Sequence, residues 1–158
     1  MSAPMKVALI DDDKSARTSL ARLIKTTGIE LVSFSSALEF LEDPIRNQVD
    51  CVVTDVRMPG VDGFKLQETL AQTLPYLSIV FITGHGDIPM TVKAIKGGAV
   101  DFLEKPVDDE ALLEAIHRAA ERSRSQGADD RTARRFLQPD LRASRFGGRR
   151  PEGYVQSG

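Results

Sequence analysis

The stretch Cys51–Gly63, "CVVTDVRMPGVDG", runs from an apolar segment through an acid into a stiff loop. "CVV" shows no polar alternation, as expected of a strand covered on both faces in a parallel sheet. Asp55 follows it, and Pro59 with Gly60 makes a tight turn, since Pro fixes φ and Gly permits positive φ. Met58 is expected to pack against this turn, and Gly63 to start the next helix or to let it pack closely. Turn chemistry accounts for Pro59 and Gly60. It leaves the carboxylate of Asp55, at the end of a buried strand, unexplained.

The same strand-then-helix pattern recurs on both sides of this stretch. "KVALI" (6–10) precedes a helical stripe of Ala16, Leu20, Leu23 and Ile24 that ends at Gly28. "ELVSF" (30–34) precedes "SSALEFLED", in which Ser36 and Glu39 have capping-box spacing. The strand at 51–54 is followed by Phe64, Leu66, Leu70 and Leu74 at helical spacing. "SIVFIT" (78–83) leads through "GHGD" to a helix over about 88–96, closed by Gly97-Gly98. "VDFLE" (100–104) leads through "KPV" to a helix over about 108–121 that opens on acids, which suits its positive end. Such alternation with short connections predicts an α/β fold, a parallel sheet with helices on both faces. Ligands of such sheets bind at the carboxyl ends of the strands.

The composition is consistent with this. A chain of 158 residues, 41% hydrophobic, can bury one core. No apolar run approaches the roughly 18 residues that span a bilayer, and the N-terminus lacks a signal-peptide pattern, so a cytoplasmic protein is expected. The single Cys51 excludes an internal disulfide and is expected to be a buried, inert thiol. The net charge of −2 divides unevenly, with residues 1–121 at −7 and residues 122–158 at +5, every base in the latter being Arg.

Chemistry is therefore sought just after each strand. There stand Asp11, Asp12 and Asp13, then Asp55, then Thr83 with "GHGD" behind it, then Lys105-Pro106. Asp13 suits a helix N-cap. Crowded carboxylates call for a cation, and oxygen ligands select Mg²⁺. "LIDDD", "TDVRMPGVDGF", "FITGHGD" and "DFLEKP", in this order over residues 5–121, resemble the receiver domain of two-component response regulators. The wording around "TGHGDIPM" and "GAVDFLEKP" is most similar to nitrogen-fixation and dicarboxylate-transport regulators.

The resemblance implies a flavodoxin-like doubly wound (βα)5 three-layer sandwich with strand order 2-1-3-4-5. It implies that Asp55 accepts a phosphoryl group from a histidine kinase or a phosphotransfer protein. Mg²⁺ would be held by the Asp12 and Asp55 side chains and the Arg57 backbone carbonyl, with Asp11 acting through water. Lys105 would pair with Asp55 and later with the phosphoryl group, Thr83 would hydrogen-bond that group, and Phe102 would follow Thr83 as a rotamer switch. A cis Lys105–Pro106 bond is also implied. Output would run through the face of the fourth helix, fifth strand and fifth helix, including Met90, Lys93, Ala94, Lys96, Gly97 and Phe102, by phosphorylation-dependent pairing of two copies. His85 is a base, a second phosphate contact or merely exposed.

Residues 122–158 show no output domain, and their Pro and Gly content argues against a packed core. They are expected to form an Arg-rich tail, helical for a turn or two over 129–137 and otherwise disordered. The tail reads as a natural extension, as the remnant of a longer DNA-binding regulator, or as an electrostatic contact for nucleic acid. No groove-reading helix is evident, so sequence-specific DNA binding is not expected of this chain. The rival function is a haloacid-dehalogenase-like phosphohydrolase, which also uses an Asp nucleophile, Mg²⁺, Thr and Lys. That chemistry places a second Asp two residues after the nucleophile, and here Arg57 stands there.

Overall fold

The computed structural model describes residues 4–137. The chain forms two units, Met1–Ser125 and Gln126–Gly158. The first holds five strands, β1 (Lys6–Ile10), β2 (Glu30–Phe34), β3 (Cys51–Asp55), β4 (Ser78–Thr83) and β5 (Asp101–Glu104). Between them run α1 (Lys14–Lys25), α2 (Ala37–Glu42) with a short 3-10 turn (Pro44–Asn47), α3 (Gly63–Thr73) and α4 (Ile88–Lys96). The last helix, α5, covers Asp109–Leu137, and its residues beyond Ser125 fall in the second unit.

All strands pair in parallel in the order β2-β1-β3-β4-β5, as the resemblance implies. The two-residue period of a strand divides the core. Ala8, Ile10, Val52, Ile79 and Phe81 face one side, with Phe40, Leu66, Leu70 and Ala94 from α2, α3 and α4. Val7, Leu9, Cys51, Val53, Val80 and Ile82 face the other, with Ile24 from α1 and Leu112, Ile116 and Ala120 from α5. β3 and β4 are buried at every position, which explains why "CVV" and "VFI" carry no alternation. Burial drives the Cys51 thiol far above its ordinary pKa, so it stays protonated.

Side-chain oxygens cap the helix starts. Asp13, Asp62 and Asp87 accept the N–H groups of Ser15, Lys65 and Met90 at 2.9, 2.8 and 2.8 Å. The capping box at α2 is only half made. Ser36 Oγ accepts the Glu39 N–H at 3.1 Å, but the Glu39 carboxylate takes the N–H and hydroxyl of Ser35, at 2.9 and 2.7 Å.

Three element bounds differ from expectation. β3 includes Asp55, because its register with Ile82 continues one residue further. β5 begins at Asp101, after Val100 has bonded to Ile79 O. α5 does not stop at residue 121. Two polar residues beyond that point tether it to the sheet: Ser123, 3% exposed, accepts the Ser78 N–H at 2.8 Å. Arg124 holds both carboxylate oxygens of Asp50, at 3.1 and 3.0 Å, and donates to Pro4 O at 3.0 Å. Residues 122–128, expected to be disordered, and 129–137, expected to be helical for a turn or two, are helical throughout, and the rest of the expected disordered tail, 138–158, lies outside the described residues.

Ser123→Ala removes the acceptor of a buried N–H and is expected to destabilise the chain by about 1–3 kcal/mol in urea unfolding.

Candidate functional site

The carboxyl ends of β1, β3, β4 and β5 lie along one edge of the sheet. There Asp11, Asp12 and Asp55 each place a carboxylate oxygen within 4.8 Å of the others. Asp11 is fully buried, Asp55 is 8% exposed, and Asp12 is exposed. The Lys105 amine lies between two of them, 2.9 Å from Asp11 Oδ2 and 3.0 Å from Asp55 Oδ2. Burial opposes the charge on Lys105, but hydrogen bonds to Asp11 and Asp55, and their charges, hold its pKa above the ordinary lysine value. The Lys105 N–H bonds to Thr83 O at 2.8 Å, so the end of β4 sets where this amine enters, and the Lys105–Pro106 bond is cis.

Asp55 is fixed from its own side as well. Its Oδ1 accepts the Arg57 N–H at 3.3 Å, and its backbone carbonyl accepts the Thr54 hydroxyl at 3.0 Å. Gly63 opens α3 where a Cβ would stand 2.6 Å from Asp55 O and 2.9 Å from Val56 Cα. α3 therefore rests directly on the end of β3, and only Gly permits it. The Pro59-Gly60 turn uses the expected positive φ, 77° at Gly60, with Met58 buried beneath it.

Thr83, 1% exposed, accepts the His85 N–H at 3.3 Å through Oγ1, which leaves its hydroxyl proton free to donate elsewhere. The His85 side chain is exposed. Phe102, half-buried, stacks obliquely on Phe81 with ring centroids 6.2 Å apart. The Phe102 ring edge and the Thr83 methyl both flank Gly86, where a Cβ would lie 2.9 and 3.1 Å from them. The sequence reading missed Gly86. It also missed Arg17, whose guanidinium donates to Asp11 O at 2.6 Å, and Gln67, whose buried amide donates to Ala94 O at 2.9 Å. Helical spacing from the Asp13 cap would have placed Arg17 one turn above the acids. Nothing in the sequence marks Gln67, because its partner is 27 residues away.

The donor set suits a hard divalent cation. Two of the three carboxylates share one ammonium, and among the described residues the third, that of Asp12, has no protein partner. Residues 7–117 match the model of the response regulator receiver domain. The chain belongs to that family. This receiver domain is 48% identical over 126 residues to Nodulation protein W of Bradyrhizobium diazoefficiens, covering 80% of this chain and 56% of that relative. It is 41% identical over 130 residues to Transcriptional regulatory protein FixJ of Azorhizobium caulinodans, covering 82% of this chain and 62% of the relative. The solved response regulator StyR is similar at TM-score 0.77 and 41% identity, over 92% of this chain and 72% of that one. The chain thus spans a little over half the length of those curated relatives.

Receiver domains serve phosphorelay signalling in two-component systems, interact with histidine kinases or phosphotransfer proteins, and bind Mg²⁺ at an acidic pocket. They are signalling domains rather than enzymes of external substrates, so the phosphohydrolase reading is not favoured. Among the described residues no helix is long and apolar enough to cross a membrane.

Lys105→Met leaves buried Asp11 facing Asp55 without a counter-charge. It is expected to cost about 2 kcal/mol in Mg²⁺-free urea unfolding, the low end for a broken pair because Lys105 is partly exposed. Added MgCl₂ recovers part of the loss. The raised Lys105 pKa stabilises the fold at neutral pH, and this contribution is lost only as pH climbs above the ordinary lysine value of about 10.4.

Proposed function

We propose that Asp55 is the phosphoryl acceptor of this receiver domain, served by Lys105 and Thr83. The reading is carried by the Lys105 amine lying between Asp11 and Asp55, beside an Asp12 carboxylate that has no partner among the described residues. An Asp55 oxygen attacks the phosphorus of a phosphohistidine, the P–N bond breaks, and an acyl phosphate forms on Asp55. Lys105 holds Asp55 Oδ2, which orients the carboxylate for attack. After transfer the same amine pairs with a phosphoryl oxygen, and the free Thr83 proton is donated to another.

The Asp12 and Asp55 side chains and the Arg57 carbonyl would hold Mg²⁺, with Asp11, already engaged by Lys105, reached through water. Bound there, the cation neutralises the charge gathered on the transferring group. The acyl phosphate brings about two negative charges to an acidic pocket. Drawing Thr83 toward the phosphoryl group opens space beside Gly86, into which the Phe102 ring turns. The likelihood of one state over the other then follows the phosphate, as population shift requires.

Two residues of the output face expected from the sequence turn inward, while Lys93, Lys96 and Gly97 are exposed. Ala94 is buried and Met90 packs on the core, because positions 90 and 94 share the inward side of α4. The exposed apolar stripe is Ile88, Val92 and Ile95, at 79%, 44% and 48% exposure. We assign it to phosphorylation-dependent pairing with a second copy of the chain. The Arg-rich segment from residue 122 adds no sequence-specific DNA contact in this reading.

Incubation with acetyl phosphate and MgCl₂ is expected to add about 80 Da, one phosphoryl group, detected by mass spectrometry. An adduct that persists in Asp55→Asn, or forms equally well in EDTA, sinks the assignment. For pairing, the phosphorylated chain is expected to double its mass in light scattering. Val92→Glu with Ile95→Glu should keep it monomeric while the adduct still forms.

A further inference from the structure

All four polar groups of Asp11 are held by the protein. Its N–H donates to Phe34 O at 3.2 Å, and its carbonyl accepts Arg17 Nη1 at 2.6 Å. Its Oδ1 accepts the Asp13 N–H at 2.9 Å and its Oδ2 accepts Lys105 at 2.9 Å. Asp12 differs: its carboxylate is exposed and takes no hydrogen bond from the described residues. Where Asp12 points therefore depends on the main chain that carries it. A peptide unit is planar, so fixing the direction of the Asp11 carbonyl also fixes the N–H and Cα of Asp12.

Arg17 fixes that carbonyl. Its own N–H bonds to Asp13 O at 2.9 Å while its guanidinium reaches back to Asp11 O, so one residue clasps both ends of the acid turn. The bond is short and charge-assisted, the strong kind. Its side chain is half-buried, lining a groove with Phe34, Ser35 and Glu39. Glu39 is immobilised there by Ser35, whose hydroxyl and N–H hold its pKa below the usual range, with Arg17 contributing.

We propose that Arg17 is a positioning residue for cation binding: by gripping the Asp11 carbonyl it sets the peptide plane that aims the Asp12 carboxylate into the acidic pocket. This rests on the pocket assignment made under Proposed function. The role has a diagnostic sign. As a mere positive charge near the pocket, Arg17 would repel a cation, so its removal would tighten Mg²⁺ binding. As a clasp, its removal loosens binding.

Calorimetric titration of the full chain with MgCl₂ tests this in Arg17→Met and Arg17→Lys, alongside acetyl phosphate labelling across Mg²⁺ concentrations. Arg17→Met is expected to weaken Mg²⁺ about tenfold, the scale of a lost outer-shell contact, with labelling at saturating Mg²⁺ within about twofold of the parent chain. Arg17→Lys, which still donates to a carbonyl, should return the affinity to within about twofold of the parent value. If Arg17→Met does not fold by circular dichroism, Arg17→Gln, whose amide is too short for the clasp, replaces it under the same criterion. Unchanged or tighter Mg²⁺ binding in the variant overturns the inference alone. A parent chain that binds no Mg²⁺ overturns it together with the pocket assignment.

Discussion

The Lys105 ammonium between Asp11 and Asp55 is the interaction on which the other features of this edge depend. Two carboxylates about 4 Å apart repel by about 4 kcal/mol at an effective dielectric near 20, and Asp11 is fully buried. A buried charge without a partner is costly, so the amine has to be there whenever the cation is not. Its place is set by strand register, with β5 paired to β4 as far as Thr83–Glu104 and the next N–H bonded to Thr83 O. A one-residue slip of β5 would turn Lys105 to the other face of the sheet. Sheet topology and pocket charge are thus one constraint.

Close packing passes that constraint outward. Gly63 seats α3 on the Asp55 backbone, and one turn later Gln67 reaches the carbonyl of Ala94. Gly97 is bare because the Gln67 amide fills the place of its Cβ, at 2.7 Å. The Lys93 amine lies 4.5 Å from the Phe64 ring centroid, a second link from α4 to α3. Apart from these, α4 is lightly held, with Ala94 as its one fully buried residue. A helix anchored by a few polar links and the apolar contacts of Ala94 and Met90 is suited to small displacements.

Much of the fold was legible in the sequence because strand and helix periods differ and each connection carries its own capping or turn residue. The acids, Thr83 and Lys105 were legible as candidates because ligand sites of parallel sheets fall at strand ends. Less legible was whatever depends on a partner far along the chain. The segment from residue 122 read as the start of an Arg-rich tail, and Ser78 and Asp50 make its Ser123 and Arg124 into anchors. Glu39 looked like the second half of a capping box until Ser35 offered two donors against one. On α4, the inward phase took Met90 and Ala94 and left Ile88, Val92 and Ile95 outside.

The sequence by itself determined the alternation of elements, the doubly covered central strands and the identity of the groups at the strand ends, since these follow from local periodicity and turn chemistry. Only the tertiary structure decided that the amine pairs with Asp11 as well as with the expected Asp55, that Gly63, Gly86 and Gly97 make room for neighbours, and that Arg17 closes over the acid turn. Most of these contacts join segments distant in sequence, and their distances are set by how helices pack on a twisted sheet. Arg17 stands only six residues from Asp11, and helical spacing gives its side of α1 but not the reach of its guanidinium to that carbonyl.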